Sequence, residues 1–423
     1  MFASDASGTS VHPLADIHKY ILGMQWNPNG QWIRLAYVKG SSIQEQLMDL
    51  SADGSKQRPL NIQLHSQRSV RPGAWVAGGR YYVFHADASP WSVASDLYVA
   101  RESDLESGKN ISPVHLTDGP LKFGQPVASE DGRSIFAIAE EPHLQLSYLD
   151  RAAKMFRPFN PNLKGEGVAF SPDGRQVAYT SVDDGALWVA DADGRNAHPI
   201  SNPEVYARFP HWSPDGRRLA FLASRRDTPW RVNIIAADGH GSRELIPDDP
   251  SEEGVPTWDP TGRTVYFGKL VDAAARAGDR LEVSAFDLDN NARHAVPGTA
   301  GLHSPRISPD GRTLSALSSD SRQLLLVDVH TGADRIIYQG EALNDAIWSP
   351  DGKSLWFDDL APANPQVLRF DVQARKVQPA ANLNQVHRSG PWGPWLGLTR
   401  DGAPLLLEDR GFEELYKIQL DLP

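Results

Sequence analysis

The chain contains no cysteine among its 423 residues. Disulfide bonds, thiolate metal sites and a cysteine nucleophile are therefore excluded, while the cellular compartment stays open. No apolar run reaches the ~18 residues that a membrane-spanning helix needs. The first residues, Met1–Asp5, lack the basic and apolar regions of a signal peptide. We expect a chain that is cytoplasmic, mature, or cut from a longer protein.

Positive charge is also scarce, since the formal net charge is −11. A domain that binds a phosphate backbone normally carries a basic face. Here Lys and Arg form only short pairs, such as Arg217–Arg218 and Arg225–Arg226. The composition therefore predicts that this chain does not bind nucleic acid.

Two common catalytic signatures are missing as well. There is no Gly-x-Ser-x-Gly sequence, which marks the nucleophile of an α/β-hydrolase. There is no His-Glu-x-x-His sequence among the 13 histidines. The sequence thus favours a non-catalytic protein without a cofactor.

What the chain does contain is a repeated turn motif, rich in Gly and Pro. An aromatic or aliphatic residue precedes Ser/Asp-Pro-Asp-Gly, and a short apolar strand follows. The clear copies are Phe170–Gly174, Trp212–Gly216, Trp258–Gly262, Ile307–Gly311 and Trp348–Gly352, and the degenerate copies are Trp26–Gly30, Trp75–Gly79, Ala128–Gly132 and Leu398–Gly402. The glycines recur on average every ~46 residues, which is the length of a propeller blade.

The motif is a turn because Pro fixes the first corner, Asp bonds to nearby backbone and Gly takes a left-handed conformation. Apolar runs such as Val177–Tyr179 and Leu219–Phe221 follow it as second strands. We therefore predict an all-β fold, a β-propeller of four-stranded antiparallel blades, with nine motif copies and eight to nine blades. Residues 1–423 form one domain in this prediction. The strand at Val11–Leu14 is expected to pair with Glu414–Leu420 and close the ring.

The repeat resembles the TolB-like, or WD40-like Pro-Asp, propeller repeats over nearly the whole chain. A narrower resemblance rests on Pro113–Pro120, Pro126–Gly132, Gly185–Trp188 and the tail His387–Gly397. These segments are similar to the C-terminal propeller of bacterial membrane-linked regulators, in which a winged-helix domain precedes a membrane segment. The resemblance implies an extracytoplasmic (periplasmic) sensing or protein-binding module. This sequence departs from that group in containing neither the winged-helix domain nor the membrane segment.

Candidate binding residues lie at the predicted mouth of the axial channel. The residue a few positions before each motif aromatic begins the innermost strand, and it varies between copies while the motif repeats. Binding and unconstrained surface explain this variation equally well. Two loop aromatics, Trp392 and Trp395, either pack the ring junction or bind a partner, and they join the candidates. The full set of candidate binding residues is Glu166, Arg208, Glu253, His303, Asn344, Trp392 and Trp395.

Other residues are assigned structural roles. The motif tryptophans are expected to pack between blades, and the motif aspartates (Asp173, Asp215, Asp310 and Asp351) to cap turns. His211 and His303 are weak candidates for a metal site, but ordinary polar positions near a turn explain them better.

Two functions follow from these observations. The first is a sensing or scaffold module that binds a protein or peptide, on its own or within a longer membrane-anchored regulator. The alternative is a metal-dependent polysaccharide lyase or hydrolase with its site in the central funnel, which requires a metal held by at least three side chains.

Overall fold

The computed structural model of the protein describes residues 1–4, 10–17, 20–38, 45–64, 69–87, 95–119, 121–225, 228–247, 249, 252–269, 281–344, 346–388 and 393–422. By their contacts these residues form two compact units, unit 1 (Met1–Pro142 and Gly411–Pro423) and unit 2 (His143–Arg410). No helix within the described ranges is long and apolar enough to cross a membrane. That all nine motif copies build one domain stays a prediction.

Unit 1 holds three blades and a short two-stranded sheet of Phe2–Ser4 and Val11–Pro13. Blade 1 comprises Tyr20–Trp26, Trp32–Val38, Glu45–Ser51 and Gln57–Pro59; blade 2 comprises Ser69–Val76, Tyr81–Asp87, Ser95–Arg101 and Val114–His115; and blade 3 comprises Lys122–Ala128, Ser134–Glu141 and Phe412–Gln419. The 3₁₀ turn Ala77–Gly79 and the helix Glu102–Glu106 belong to blade 2. A single parallel bridge between Lys122 and Ser95 connects blades 2 and 3.

Unit 2 holds six four-stranded antiparallel blades. Their strands are Gly165–Phe170, Gln176–Ser181, Leu187–Asp191 and His198–Pro199 in blade 4; Tyr206–Trp212, Arg218–Ser224, Arg231–Ala236 and Arg243–Glu244 in blade 5; Pro256–Trp258, Thr264–Phe267, Ser284–Asp287 and Ala292–Ala295 in blade 6; Leu302–Ile307, Thr313–Ser318, Gln323–Asp328 and Asp334–Gln339 in blade 7; Ile347–Trp348, Ser354–Asp359, Gln366–Asp371 and Lys376–Asn382 in blade 8; and Gly397–Leu398, Pro404–Asp409, Leu144–Asp150 and Met155–Pro158 in blade 9.

The blades of unit 2 contact one another in cyclic order. Apolar second and third strands supply the contacts, because both of their faces are covered by neighbouring sheets. The contacts are, in order, Leu405 with Tyr179, Leu187 with Phe221, Trp258 with His211, Val283 with Leu314, Leu326 with Phe357, and Val367 with Leu406. This unit is therefore built as a β-propeller.

The repeat predicted the blades copy by copy. Each motif glycine lies between the first and second strands of one blade, and all nine have a positive φ between 65° and 89°. The motif aspartate caps the turn as expected, since the Asp215 carboxylate accepts hydrogen bonds from the Ser213 hydroxyl at 2.6 Å and the Arg217 N–H at 3.0 Å. The all-β, four-stranded prediction is confirmed.

The predicted pairing of Val11–Leu14 with Glu414–Leu420 is not the one observed. Val11–Pro13 pairs with Phe2–Ser4, and Phe412–Gln419 pairs with Ser134–Glu141 over eight residues. The longer ladder satisfies more backbone groups than the three residues of Val11–Pro13 could. Because Phe412–Gln419 joins blade 3, the third strand of blade 9 is Leu144–Asp150. Copies three and nine thus exchange their third strands, which a local repeat pattern does not encode.

Candidate functional site

A cavity of about 560 Å³ lies in unit 2, where first strands and turns from all six blades converge. Its wall is largely apolar and aromatic, with a small number of polar groups. The lining residues include Gly167, Ala169, Phe170, Phe209, His211, Trp212, Pro256, Arg306, Asn344, Trp348, Trp395 and Arg400. A smaller cavity of about 320 Å³ shares His211, Arg306 and Trp348, and is lined by five motif prolines.

The repeated tryptophans fix the wall of this cavity. Trp212 Nε1 donates to the carbonyl oxygen of Ala169 at 2.9 Å, and Trp258 Nε1 donates to that of His211 at 3.0 Å. Each bond therefore runs from one blade to the residue just before the motif in the preceding blade. The predicted packing role is confirmed for Trp212 and Trp258, whose buried indole N–H groups are satisfied, whereas the motif tryptophan Trp26 is 54% exposed.

A bulge in the first strands decides which side chains reach the cavity. The ladder shifts between Glu166 and Ala169 in blade 4, and between His303 and Arg306 in blade 7. The intervening residues Gly167 and Ser304 have φ of 62° and 51°. One extra residue reverses the side-chain alternation of the strand before it. The bulge therefore lies between the candidate positions Glu166 and His303 and the motif residues that follow them.

Among the candidates, Asn344 and Trp395 line the cavity. The Asn344 Nδ2 group donates to the carbonyl oxygen of Pro394 at 2.7 Å, which holds the segment that leads into blade 9. Trp395 is buried against Leu146 and Leu405. Its indole lies over Gly397, where an added Cβ would stand 2.4 Å from Trp395 Cζ3. Trp392 lies outside the described residues.

The other candidates lie away from the lining. Glu166 and His303 are buried, and the two ring nitrogens of His303 lie 3.0 and 3.2 Å from the hydroxyls of Ser304 and Ser321. The Arg208 guanidinium stacks over the rings of Phe209 and Trp230. A binding role for these residues stays a prediction.

Glu253 lies just before the first strand of blade 6 and forms hydrogen bonds with Val232 and Trp230 in blade 5. Its Oε2 accepts the Val232 N–H at 2.5 Å, and its own N–H donates to the carbonyl oxygen of Trp230 at 2.9 Å. The side chain is only 1% exposed. Burial raises the pKa of the Glu253 carboxyl to about 7, although the Val232 hydrogen bond and Arg231 act in the opposite direction.

His211 and Arg306 bring polar chemistry into the cavity. Burial, followed by the charge of Arg306, lowers the pKa of His211 to about 3, so its imidazole is neutral at physiological pH. The Trp258 N–H approaches His211 Nδ1 at 3.4 Å. Arg306 and Arg400 add positive charge to the lining. The Asp173 carboxylate accepts hydrogen bonds from the Ser171 hydroxyl and the Arg175 N–H of its own turn.

Sequence reasoning missed Arg306 and Phe209 because both follow or occupy a bulge. Proline gave the available signal, since Pro210 and Pro305 lie within Tyr206–Trp212 and Leu302–Ile307, the edge strands of blades 5 and 7. A proline within an apparent strand indicates a bulge or an edge. That rule would have moved the candidate position from His303 to Arg306.

The described residues contain no group of three or more His, Asp or Glu side chains that could hold a metal ion. His211 and His303 belong to blades 5 and 7, which are not neighbours in the order of contacts. The ring nitrogens of His303 already contact two hydroxyls.

An all-β propeller with an axial cavity is the class that this fold and site define. No protein-family model matches the chain. It is 27% identical over 197 residues to the uncharacterized peptidase YuxL of Bacillus subtilis, covering 44% of this chain and 28% of that protein. It is 35% identical over 94 residues to the Tol-Pal system protein TolB of Anaeromyxobacter dehalogenans, covering 21% and 20%.

Over these segments the repeat of this chain is similar to the repeats of YuxL and TolB. A solved structure of a putative TolB from Agrobacterium tumefaciens aligns with a TM-score of 0.47 and 18% identity, covering 66% of this chain and 99% of that one. The chain spans less than a third of the length of YuxL and of TolB.

Proposed function

We propose that this chain is a non-catalytic binding module whose axial cavity in unit 2 takes a peptide segment of a partner protein. The observation that carries the proposal is the convergence of all six blades on one cavity of about 560 Å³. Pockets that bind ligands are typically about 300–1,000 Å³ in volume, largely apolar, with a few polar groups that fix orientation.

The chemistry of the wall suits an extended peptide. Phe170, Phe209 and Trp348 offer apolar contact, while Asn344 and Arg306 offer hydrogen-bond donors near them. Aromatic and Arg side chains supply much of the binding energy in protein interfaces. Neutral His211 adds a polar group without the cost of burying a charge.

The metal-dependent alternative has weaker support, because the described residues contain no cluster of three candidate ligands. Peptidase activity is a property named for YuxL, of which this chain covers 28%. Neither observation favours a catalytic site in this chain over a binding site.

A sensing role in an extracytoplasmic compartment, as part of a longer membrane-anchored regulator, belongs to the same proposal. It is supported by the similarity of the segments at 113–132 and 387–397 to the propellers of such regulators. The mass of the protein isolated from its native source, compared with 46.5 kDa, tests whether the chain is part of a longer one. A native mass equal to that value contradicts the regulator part of the proposal.

Binding itself is tested by selection from a random peptide library displayed on phage, followed by calorimetry with a selected peptide. We expect Asn344→Ala and Arg306→Gln to weaken binding about tenfold each, which corresponds to about 1.4 kcal/mol. Arg335→Gln, on the exposed fourth strand of blade 7, is the matched control.

Two outcomes contradict the proposal. One is a library that yields no peptide with saturable affinity. The other is a set of peptides whose affinity is unchanged by both cavity substitutions, since these peptides would bind elsewhere on the chain.

A further inference from the structure

Blade 3 lacks a fourth strand, whereas the other eight blades have four strands each among the described residues. Its strands are Lys122–Ala128, Ser134–Glu141 and Phe412–Gln419 in that order. The edge of the sheet is therefore Phe412–Gln419, which pairs on one side with Ser134–Glu141 and with no described strand on the other. A long strand of this kind presents unpaired N–H and C=O groups, and these can pair with another chain.

This edge strand is also largely exposed. Six of its eight residues are exposed, and Leu415 and Phe412 remain 70% and 43% exposed. Leu415 lies opposite Ile138 of the next strand, on the face that does not pack against blade 2. The strand contains no proline and its side-chain face is not bent by a bulge, so two common protections against strand addition are missing.

We propose that a second copy of this chain pairs with Phe412–Gln419, so that the two edge strands run antiparallel across a two-fold axis at Leu415. The axis is perpendicular to the sheet, so opposed residues must point to the same face. Opposed positions then differ by an even number of residues, and only a few registers are possible.

The charges of the strand select this register. With Leu415 opposite Leu415 of the other copy, Glu413 of each copy lies opposite Lys417 of the other. Phe412 lies opposite Ile418, and Glu414 lies opposite Tyr416. The Leu415–Leu415, Glu413–Lys417 and Phe412–Ile418 pairs are favourable, because opposite charges and apolar side chains stabilise cross-strand neighbours.

The neighbouring registers are poor. A shift of the axis to Glu414 places two glutamates against each other. A shift to Tyr416 places Leu415 opposite Lys417 and Glu414 opposite Ile418. The self-complementary order of Glu413, Leu415 and Lys417 along one face therefore identifies a second copy as the occupant.

Sedimentation velocity of the full chain over a range of concentrations tests the proposal. We expect a concentration-dependent dimer, because one added strand pair forms a small interface. Lys417→Glu and Glu413→Lys each place like charges in contact and should abolish the dimer. The double substitution Glu413→Lys with Lys417→Glu restores opposite charges and should restore the dimer.

Mixing the two single variants gives a sharper result. A Glu413→Lys chain and a Lys417→Glu chain complement each other, so the mixture should form a heterodimer that neither variant forms alone. Lys376→Glu on the exposed fourth strand of blade 8 makes the same charge change at another edge and should leave the dimer intact. Thermal unfolding followed by circular dichroism checks that each variant remains folded.

A wild-type chain that stays monomeric at all concentrations overturns the proposal. So does a dimer that persists in both single variants, since its interface must lie elsewhere. Pairing of a monomeric chain with a synthetic peptide of residues 10–16, detected by slowed amide exchange in 412–419, would also overturn it and would identify another occupant for this edge.

Discussion

Trp348 Nε1 donates a hydrogen bond of 3.0 Å to the carbonyl oxygen of Arg306, from blade 8 to blade 7. The same relationship connects Trp212 to Ala169 and Trp258 to His211. The repeated motif therefore forms a hydrogen bond between neighbouring blades as well as a turn within its own blade. Because Arg306 lines the cavity, this bond also holds the backbone of a proposed binding residue.

Loss of this bond should destabilise the contact between the blades. We expect Trp348→Phe to lower the free energy of unfolding by about 1 kcal/mol, because the ring stays apolar while the Arg306 carbonyl loses the indole donor and keeps the Ser315 hydroxyl at 3.3 Å. Urea unfolding followed by circular dichroism measures the change. Trp26→Phe is the control, since Trp26 is 54% exposed, and it should leave stability nearly unchanged.

The raised pKa of Glu253 makes stability fall as the pH rises. The folded state keeps its proton up to about pH 7, whereas an unfolded glutamate loses it near ~4.3. Between these values the folded state binds more protons, so its stability is greatest at the acidic end. Glu253→Gln should remove this dependence and stabilise the protein at pH 8 by on the order of 2–3 kcal/mol.

The measurement is chemical unfolding of wild type and Glu253→Gln at a series of pH values. Glu244→Gln, at an exposed strand position, serves as the control. Equal pH profiles for wild type and Glu253→Gln would contradict the prediction.

His211 acts in the opposite direction. Its pKa is about 3 in the folded state, whereas an unfolded histidine titrates near ~6.5. The folded state therefore binds fewer protons between these values, and stability is lost as the pH falls below ~6.5. His211→Gln should make the protein less sensitive to acid over this interval, in the same unfolding series, while His198→Gln on an exposed strand should not.

The contact of Trp395 with Gly397 leaves no room for a side chain. Gly397→Ala should lower stability by about 1–3 kcal/mol, because the new Cβ overlaps the indole 2.4 Å away. Adding Trp395→Leu removes the overlap, so the double variant should lose less than the sum of the two single losses. Strict additivity in urea unfolding would show that the two residues do not interact.

The sequence predicted the parts of the fold that depend on local chemistry. About ten consecutive residues specify each Pro-Asp-Gly turn and the apolar strand that follows it. Gly174 and Gly352 could therefore be assigned to turns directly from the sequence. The cavity was harder to predict, because bulges at Gly167 and Ser304 separate Glu166 and His303 from the residues that line it. Asn344, which precedes the short first strand of blade 8, lines the cavity, and its binding role stays a prediction.

The partner of Phe412–Gln419 was beyond prediction for a different reason. Its amphipathic pattern fits the third strand of any blade, and the choice of blade 3 depends on pairing with residues almost 280 positions earlier. The exchange with Leu144–Asp150 is likewise a non-local pairing. Such pairings depend on tertiary context, which a repeat pattern does not contain.

The strand exchange also sets an order of events during synthesis. The edge strand of blade 3, Phe412–Gln419, is synthesised more than 270 residues after the strand with which it pairs. The last two strands of blade 9 are made hundreds of residues before its first two. Neither unit is therefore complete until Pro404–Asp409 and Phe412–Gln419 have been synthesised, and until then both keep an unpaired sheet edge.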